Sequence, residues 1–552
     1  MLPQAVENRF RSSEISAQLR PNIARSSSLA IFVGTLLLAV STTGCSRVST
    51  EPRKFLPADA LVAISADNLG AALTPIIERA AGQAKTARKP DLSALNGMKF
   101  AAAITGFEAR ETPAGGEQAF LDLRPRLVAI IETNAWSWQV DSFVEDRLGE
   151  LIDQAFGGEL ELESYPKSDG TYFVWTAPGG RRAFAFVVGS LVFLANDEAA
   201  LEKALNVRSG SEPPLEFEVS GEESAAFRGL VTESGVGQIA NFAAIQLAIG
   251  SGEEDQMRQF ILTALPQATR NAVKEIYWLS RIDKNGVEDR YRFILAPKIA
   301  ELLGETLTPG SGGFREIASM IPADVPSVTF YNVKDSRVGW RSILLAAQNS
   351  SDPLTATLLP VVAGSLFEPF GIKDAERFLA ATRGPIATFR IDAEGERGAV
   401  TGLSGDVIAI RRSLAREIAA AKKSEALSGF TVLSSDENCF AFDRWGRYAV
   451  GDCEAIDKAI KAITSGSNLA SANVSGQIGG QTGDPAAAIT YSTRNINLSA
   501  MLFAAGNAEH EPQQVSERSI TRTNFDRRGF IRITRSDFGI VGILLERIGE
   551  RE

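Results

Sequence analysis

The spacing of apolar residues divides the chain into a short N-terminal segment and a long remainder. Residues 29–40 (LAIFVGTLLLAV) form an uncharged, mostly apolar run. In the remainder, short alternating or β-branched runs, typical of strands, are interspersed with segments in which apolar residues recur every three or four positions, typical of amphipathic helices. This mixture predicts an α+β fold in which mainly antiparallel sheets are covered by helices.

Short Gly-, Pro- or Asn-containing turns between adjacent β-type runs indicate antiparallel strands. Strands are predicted at residues 61–65, 99–104, 127–132, 171–175, 182–188, 191–195, 277–282, 291–295, 327–331, 386–391, 407–410, 430–434, 439–444, 447–450 and 487–491, with an interrupted one at 530–540. Helices are predicted at residues 69–81, 138–156, 241–249, 256–275, 340–347, 375–381, 411–423 and 498–503.

Three short motifs occur twice in the same order. FLPAD at 55–59 returns as MIPAD at 320–324, and the turn signal IDKNG at 282–286 returns as FDRRG at 525–529. Between them, a strand ends, an Asp occupies the N-cap position and an amphipathic helix follows, at Asp197 and again at Asp452. Such phrases also recur by chance in α+β proteins, but three in one order predict an internal duplication.

The duplication predicts two related domains, each a mainly antiparallel sheet covered by helices. The first repeat covers residues 55–303 and the second covers 314–552, with the Gly-rich segment 304–313 as the linker. The Pro-Ala-Asp openings and the strand–Asp–helix phrases resemble a family of exported bacterial proteins known only as a domain of unknown function. That resemblance implies an exported protein of this fold class and supplies no catalytic residues.

The first 44 residues have the layout of an export signal. Four Arg precede the apolar run, and small residues at 41–44 separate that run from Cys45. The run is too short for a transmembrane helix, which needs about 20 residues. The segment resembles a bacterial lipoprotein signal, so we predict cleavage after residue 44, lipid on Cys45 and a tether over 45–54. The alternatives are an ordinary secretory signal with an incidental Cys45, and an uncleaved anchor.

Composition limits both the partners and the chemistry. The net charge is −10, and it is −12 without residues 1–44, which hold four Arg and two Glu. We therefore expect no nucleic-acid binding, which requires a basic surface. The one His, His510, lies in a polar stretch and is expected to be a solvated loop residue, which argues against His-dependent catalysis and His-rich zinc sites. No cofactor is expected.

Four motifs that resemble functional sites have simpler structural interpretations. Residues 164–167 (SYPK) match S-x-x-K but contain a Pro, and residues 476–483 (GQIGGQTG) lack the G-K-[ST] of a phosphate-binding loop. The acidic run 253–255 suits a helix N-terminus, and the alternating residues 159–163 (ELELE) suit an exposed strand. We therefore predict no catalytic, cofactor-binding or metal-binding residues.

Cys439 and Cys453 are predicted to form a disulfide. If Trp445 and Gly446 make a two-residue hairpin turn, Cys439 faces residue 452 on the next strand, and Cys453 comes within bonding reach. An oxidising envelope would permit the bond. Two free, buried thiols are the alternative.

These observations predict a non-catalytic cell-envelope lipoprotein that faces the periplasm or the exterior. A lipid anchor would hold it to a membrane, and its partner would be a protein or another envelope component. A carrier or sensor of an apolar ligand is the first alternative, since a helix-covered sheet can open a pocket between its layers. A hydrolase that uses carboxylates alone, such as a glycosidase, is the second.

We expect the mature chain to begin at an acylated Cys45. Mass spectrometry of the N-terminal peptide from the membrane fraction should detect both the new terminus and the added acyl mass. Cys45→Ser should move the protein out of the membrane fraction, whereas Cys439→Ser, which leaves the signal intact, should not. A mature chain that starts elsewhere and carries no acyl group would contradict the prediction.

Overall fold

The structure is a computed structural model that describes residues 50–84, 90, 92–113, 119–133, 135, 137–149, 152, 159–178, 180–217, 224–250, 255–393, 397–435, 438–472, 485–504 and 513–550. The signal segment 1–44, Cys45, His510 and the Gly-rich motif 476–483 lie outside the described residues. What the sequence indicates for them stays a prediction.

The described residues contain 20 strands in one sheet, which confirms the α+β class with a large antiparallel sheet. The first ten are β1 (Val62–Ala66), β2 (Lys99–Pro113), β3 (Ala119–Glu132), β4 (Glu161–Lys167), β5 (Gly170–Thr176), β6 (Arg182–Val188), β7 (Leu191–Ala195), β8 (Phe227–Val231), β9 (Val273–Asp283) and β10 (Gly286–Leu295). The others are β11 (Ser327–Tyr331), β12 (Arg383–Arg390), β13 (Gly398–Leu403), β14 (Lys423–Leu427), β15 (Phe430–Ser434), β16 (Cys439–Asp443), β17 (Arg447–Gly451), β18 (Ala488–Asn497), β19 (Gln514–Asp526) and β20 (Gly529–Ser536).

The strand order is the same in the two halves of the sheet. From one edge to the centre the order is β4-β5-β6-β7-β3-β2-β1-β8-β9-β10. From the other edge it is β14-β15-β16-β17-β13-β12-β11-β18-β19-β20. Strands β10 and β20 then pair from Val287↔Ser536 to Ile294↔Gly529. The two expected sheets are therefore one continuous sheet.

Helices pack on both faces of the sheet. Those in the described residues are α1 (Leu69–Gln83), α2 (Ser137–Phe143), α3 (Glu198–Ser209), α4 (Glu233–Gly250), α5 (Asp255–Ala272), α6 (Pro297–Thr306), α7 (Phe314–Ala318), α8 (Ser336–Asn349), α9 (Pro353–Ser365), α10 (Ala375–Ala381), α11 (Val407–Ser413), α12 (Ala415–Ala419), α13 (Cys453–Ser465), α14 (Leu498–Ala504) and α15 (Gly539–Gly549). A π-helical turn, Val144–Leu148, continues α2, and short 3-10 turns lie at Pro52–Phe55, Ser93–Leu95 and Glu368–Phe370.

Two of the repeated motifs occupy matching places. Asp197 and Asp452 cap α3 and α13, and each side chain accepts a hydrogen bond of 3.0 Å from the backbone N–H three residues later. Pro57 and Pro322 each form an isolated β-bridge with the segment that follows the capped helix of the same half. The Pro-Ala-Asp opening thus lies beside the end of that helix in both halves.

The third repeated motif forms the same kind of turn in both halves. Asp283 pairs with Gly286 across the β9–β10 turn, and Asp526 pairs with Gly529 across the β19–β20 turn. Each Asp side chain accepts a hydrogen bond from the backbone N–H two residues later, at 2.6 and 2.8 Å. This is the local bonding that favours Asp at the start of a tight turn.

Some predicted elements are wrong because local spacing was ambiguous. Residues 407–410 form the start of α11 rather than a strand, since Asp406 caps a helix there and Ile410 is buried in the core beneath it. A run of four apolar residues cannot distinguish a strand from one buried helical turn. The apolar residues of 530–540 likewise belong to two elements, β20 and the first turn of α15. The predicted linker 304–313 begins inside α6.

The two halves share hydrophobic cores. Leu73 and Ile76 of α1 lie in the same buried cluster as Leu502 of α14 and Leu545 of α15. In the other half, Leu303 of α6 lies in a cluster against which residues of β19 and β20 pack. Each half therefore completes its core with a helix from the other, so we expect the described sheet to unfold as one cooperative unit.

The structure joins Cys439 and Cys453, whose Cα atoms are 4.9 Å apart, through a disulfide. The hairpin that positions them differs from the predicted one by one residue. Cys439 lies opposite Gly451 because three residues, not two, connect β16 and β17. The third of these, Gly446, has a φ of 89°, the left-handed conformation that three-residue hairpin loops require at this place.

We expect Cys439→Ser/Cys453→Ser to lower the free energy of unfolding. The bond spans 14 positions, and closing a loop of that size contributes about 3 kcal/mol in the chain-entropy model. Denaturant unfolding followed by circular dichroism would measure the loss. Reductant should reproduce it in the wild type and have no effect on the double variant. A wild type that unfolds at the same denaturant concentration with and without reductant would rule the bond out.

Candidate functional site

The four central strands, β9, β10, β20 and β19, present one face that is rich in arginine. Directly opposed residues of an antiparallel ladder lie on the same face of the sheet. The pairings therefore bring five arginines of these strands together. They are called the arginine face below: Arg281, Arg290, Arg292, Arg522 and Arg535.

The arginine face lies between two helix-covered parts of the same sheet face. On one side, Leu230, opposite Tyr277, belongs to the core that α3 covers. On the other side, Ile489, opposite Arg522, belongs to the core that α13 covers. Among the described helices, α6 and α15 pack on the opposite face of the central strands, where Phe530 and Val287 join their cores. The guanidinium groups thus lie between two helical layers.

Arginine and apolar residues alternate across the strands in the middle row of this face. The middle row runs from β9 to β19 as Leu279, Arg290, Ile533 and Arg522. In the same strand order, the row on one side consists of Arg281, Glu288, Arg535 and Ile520. The row on the other side consists of Tyr277, Arg292, Ile531 and Asn524. Arginine side chains can lay their methylene stems along such apolar neighbours and keep the charged head toward solvent.

Two of the arginines form ion pairs across the junction of the halves. Arg292 of β10 binds Asp526 of β19 through both Nη atoms, with Nη2 to Oδ1 at 2.9 Å. Arg535 of β20 donates to Glu288 of β10 from Nε at 2.8 Å and Nη2 at 2.6 Å. Burial acts to raise the pKa of Asp526, but the hydrogen bonds from Arg292 and from the backbone N–H groups of Arg528 and Gly529, together with the charge of Arg292, outweigh it and lower that pKa. These two arginines therefore help to hold β10 and β20 together.

Arg522 is in a different electrostatic situation. Burial, and then the positive charge of Arg535, lower the pKa of its guanidinium. Both effects mean that the charged form is less stable here than in water. A negative charge placed beside Arg522 would oppose the effect of Arg535.

The opposite face of the central strands holds buried carboxylates with a structural role. Asp289 is 1% exposed and accepts hydrogen bonds from Trp278 Nε1 at 2.9 Å and from the backbone N–H of Ile540 at 2.8 Å. Glu517 accepts one from the N–H of Phe538 at 2.8 Å. Burial raises the pKa of Asp289, against the effect of these hydrogen bonds. Both carboxylates fix the N-terminus of α15 to the sheet.

Neither the two cysteines of the disulfide nor the SYPK and acidic residues of β4 lie on the arginine face. Cys439 and Cys453 join β16 to α13, in the outer half of the β11–β20 part of the sheet. Residues 164–167 belong to β4 at one edge, where Glu161 and Glu163 are exposed on the same strand. In the part of the chain that the structure describes, no three His, Cys, Asp or Glu side chains are grouped so that they could hold a metal ion.

Comparison with known proteins adds no assignment. No protein-family model, curated protein or solved structure matches the chain. None of the described helices combines the length and the apolar character needed to span a bilayer.

Sequence reasoning missed the arginine face because its residues come from four strands in two distant segments. A signal was present in each segment. Arg290 and Arg292 alternate along β10, and Arg522 and Arg535 lie in β19 and β20 of an otherwise acidic chain. Alternation shows that Arg290 and Arg292 share a face. It cannot show that β10 lies beside β20.

We expect Arg292→Leu and Arg416→Leu to change stability differently, although each exchanges one arginine for leucine. Arg292→Leu removes the pair with Asp526 and should lower the free energy of unfolding by about 1–2 kcal/mol, a value reduced for partial exposure of the pair. Arg416 is an exposed residue of α12 outside the arginine face, so its replacement should change stability by less than about 0.5 kcal/mol. Urea denaturation at low salt would compare the two variants, and equal losses would contradict a stabilising role for the Arg292–Asp526 pair.

Proposed function

We propose that the protein is a non-catalytic cell-envelope lipoprotein that binds an anionic envelope component on the arginine face. The observation that carries the proposal is the grouping of Arg281, Arg290, Arg292, Arg522 and Arg535 on one face of the central strands. Arginine suits this role because its planar fork matches carboxylate and phosphate groups bidentately.

The grouping of these arginines is notable because the chain without residues 1–44 is acidic. Without residues 1–44 the net charge is −12, so a random patch of surface would carry excess negative charge. On the arginine face Glu288 pairs with Arg535 and Arg290, and Asp526 pairs with Arg292. A local excess of positive charge within an acidic protein draws anions to that place.

The envelope location rests on the signal-like segment and Cys45. Lipid on Cys45 would hold the domain close to a membrane through the tether 45–54, while an export signal would deliver it to the periplasm or exterior. The expected partner is accordingly a component of that compartment rather than nucleic acid.

We also infer that the chain arose by internal duplication, as the repeated motifs suggest. Support comes from the common strand order of β1–β10 and β11–β20 and from the shared caps at Asp197 and Asp452. Under this proposal the arginine face lies where the two copies meet.

The carrier alternative has less support among the described residues. A pocket between α1 and the segment that follows it has a volume of about 230 Å³. Typical ligand pockets have volumes of about 300–1,000 Å³ and a mainly apolar lining, whereas Glu78, Ser93 and Asn96 contribute to this one.

The binding proposal is tested with polygalacturonate, a polymer of carboxylate-bearing sugars, by isothermal titration calorimetry. We expect binding that weakens with salt and at least a tenfold loss in Arg290→Gln/Arg522→Gln, since hydrogen bonds to charged groups contribute about 1.5–3 kcal/mol each. Neutral dextran should not bind.

The matched control is Arg416→Gln, which removes an exposed arginine of α12 outside the arginine face. It should bind as the wild type does. Equal affinity of the double variant and the wild type, with folding verified by circular dichroism, would place any binding elsewhere. Absence of binding to every anion tried would refute the proposal.

A further inference from the structure

We propose that one end of the outer strands in the β11–β20 part of the sheet docks on a bilayer that contains anionic lipid. This surface, called the tryptophan end below, consists of Arg444 and Trp445 at the tip of the β16–β17 hairpin and of Ile408, Arg411 and Arg412 on α11. It lies outside the arginine face, so the inference does not depend on the ligand proposed for that face. It follows from the exposure of its apolar residues, from their position and from the charges beside them.

Trp445 is the feature that points to a bilayer. It is 70% exposed, the largest fraction among the large apolar side chains that the structure describes. It occupies the middle of the three-residue loop between β16 and β17, and the guanidinium of Arg444 lies 4.6 Å from the centre of its ring. A tryptophan combines an apolar ring with one polar N–H, so it favours the interface between hydrocarbon and water. A tryptophan exposed beside a cation therefore suits the headgroup level of a bilayer.

Hydrogen bonds hold the hairpin tip in place. Asp443, which is 5% exposed, accepts hydrogen bonds of 2.8 Å from the backbone N–H groups of Trp445 and Arg447. The carbonyl oxygen of Gly446 accepts one of 2.8 Å from the N–H of Ser404. A Cβ at Gly446 would overlap the carbonyl oxygen of Ser404, so this close approach requires glycine. Trp445 is thus presented by a fixed loop, beside the segment that leads into α11.

Helix α11 places one apolar and two basic residues next to that loop. Ile408, Arg411 and Arg412 are three and four positions apart, so they lie on one side of the helix, and all three are exposed. The other side of α11 packs on β16, where the guanidinium of Arg411 lies 5.8 Å from the ring centre of Phe442. Because Phe442 is only two positions before Arg444, the basic side of α11 lies beside the hairpin tip.

The charge of the tryptophan end is opposite to that of the whole chain. Residues 404–413 and 443–447 contain four Arg and two Asp, a net charge of +2, in a chain whose net charge is −10. Each basic residue close to an anionic lipid surface strengthens binding by about a factor of five. The local charge therefore favours a bilayer with anionic lipid over a neutral one.

The two aspartates of this region bind groups of the protein. Asp406 accepts a hydrogen bond of 2.8 Å from the backbone N–H of Ile408 and caps α11. Asp443 binds the hairpin loop and forms an ion pair with Arg447. Among the residues whose structure is described, neither aspartate forms an ion pair with an arginine of the tryptophan end. Those guanidinium groups can therefore bind lipid phosphates.

Contact through the tryptophan end would complement the lipid predicted on Cys45. An acyl anchor joined through the tether 45–54 would keep the fold near a membrane without fixing its orientation. A second contact made by Trp445 and the charges beside it would fix that orientation. Apolar and electrostatic contacts combine with acyl chains in this way at other membrane surfaces.

The test uses the mature chain carrying Cys45→Ser, so that no acyl group contributes. Its binding to phosphatidylcholine vesicles, with and without phosphatidylglycerol, is measured by co-sedimentation at low and high salt. We expect binding that requires phosphatidylglycerol and weakens with salt. Arg411→Gln/Arg412→Gln should weaken it at least tenfold, since two charges are lost. Trp445→Ser should weaken it by about tenfold, because an apolar ring no longer enters the lipid, whereas Trp445→Phe should retain most of the affinity.

Leu366→Ser and Arg527→Gln/Arg528→Gln are the matched controls. Leu366 is 64% exposed and follows α9, and Arg527 and Arg528 are adjacent exposed arginines in the β19–β20 turn. With folding verified by circular dichroism, both controls should bind the vesicles as the wild type does. Losses in the controls as large as those in the variants of the tryptophan end would overturn the inference.

Tryptophan fluorescence identifies the residue that enters the bilayer. Vesicles of the same composition are prepared with lipids brominated on the acyl chains, which quench a tryptophan that reaches them. We expect quenching in the wild type that is lost in Trp445→Phe. Quenching that persists in Trp445→Phe would contradict the inference, as would equal binding to vesicles with and without phosphatidylglycerol. Failure to bind either kind of vesicle would also overturn it and is the result expected if the tryptophan end binds a protein instead.

Discussion

The antiparallel pairing of β10 with β20 is the constraint on which the rest of the structure depends. Without it, each set of ten strands would end in a long open edge with unpaired backbone groups, which in other sheets invites association with further strands. Eight residue pairs, from Val287↔Ser536 to Ile294↔Gly529, remove both edges at once. The stacked rings of Phe293 and Phe530, with centroids 4.2 Å apart, add an apolar contact on the side of α6.

The same pairing creates the arginine face. Three of its residues come from β9 and β10 and two come from β19 and β20, so neither half contains the surface by itself. Bringing like charges together costs free energy, which Glu288 and Asp526 offset at Arg535 and Arg292. Burial and the neighbouring charge of Arg535 lower the pKa of the Arg522 guanidinium.

The pairing of β10 with β20 also fixes the positions of helices, because helices of both halves pack in a shared core. Asp289 on β10 accepts a hydrogen bond from Ile540 at the start of α15, and α15 then packs with α14 and α1. A buried polar group that loses its hydrogen-bond partner lowers stability. The position of the last helix is thus tied to the central strands, and a change at the junction would reach the cores of both halves.

The sequence by itself determined the capped helices, the tight turns and several of the strands. Asp197 and Asp452 cap helices, Asp283 and Asp526 begin tight turns, and strands such as β11 have the predicted bounds, because each depends on residues close together in the chain. A ligand site that depended on such a motif would have been found in the same way.

Tertiary structure decided the rest. The one-residue difference in the β16–β17 turn, the helix at 407–413 and the end of the predicted linker within α6 all depend on packing that local spacing does not encode. The juxtaposition of Arg290 with Arg522 requires that β10 and β20, more than two hundred residues apart, be neighbours. Periodicity specifies which face a side chain occupies, but the choice of partner strand follows from the burial of whole faces and edges, so only the complete fold fixes it.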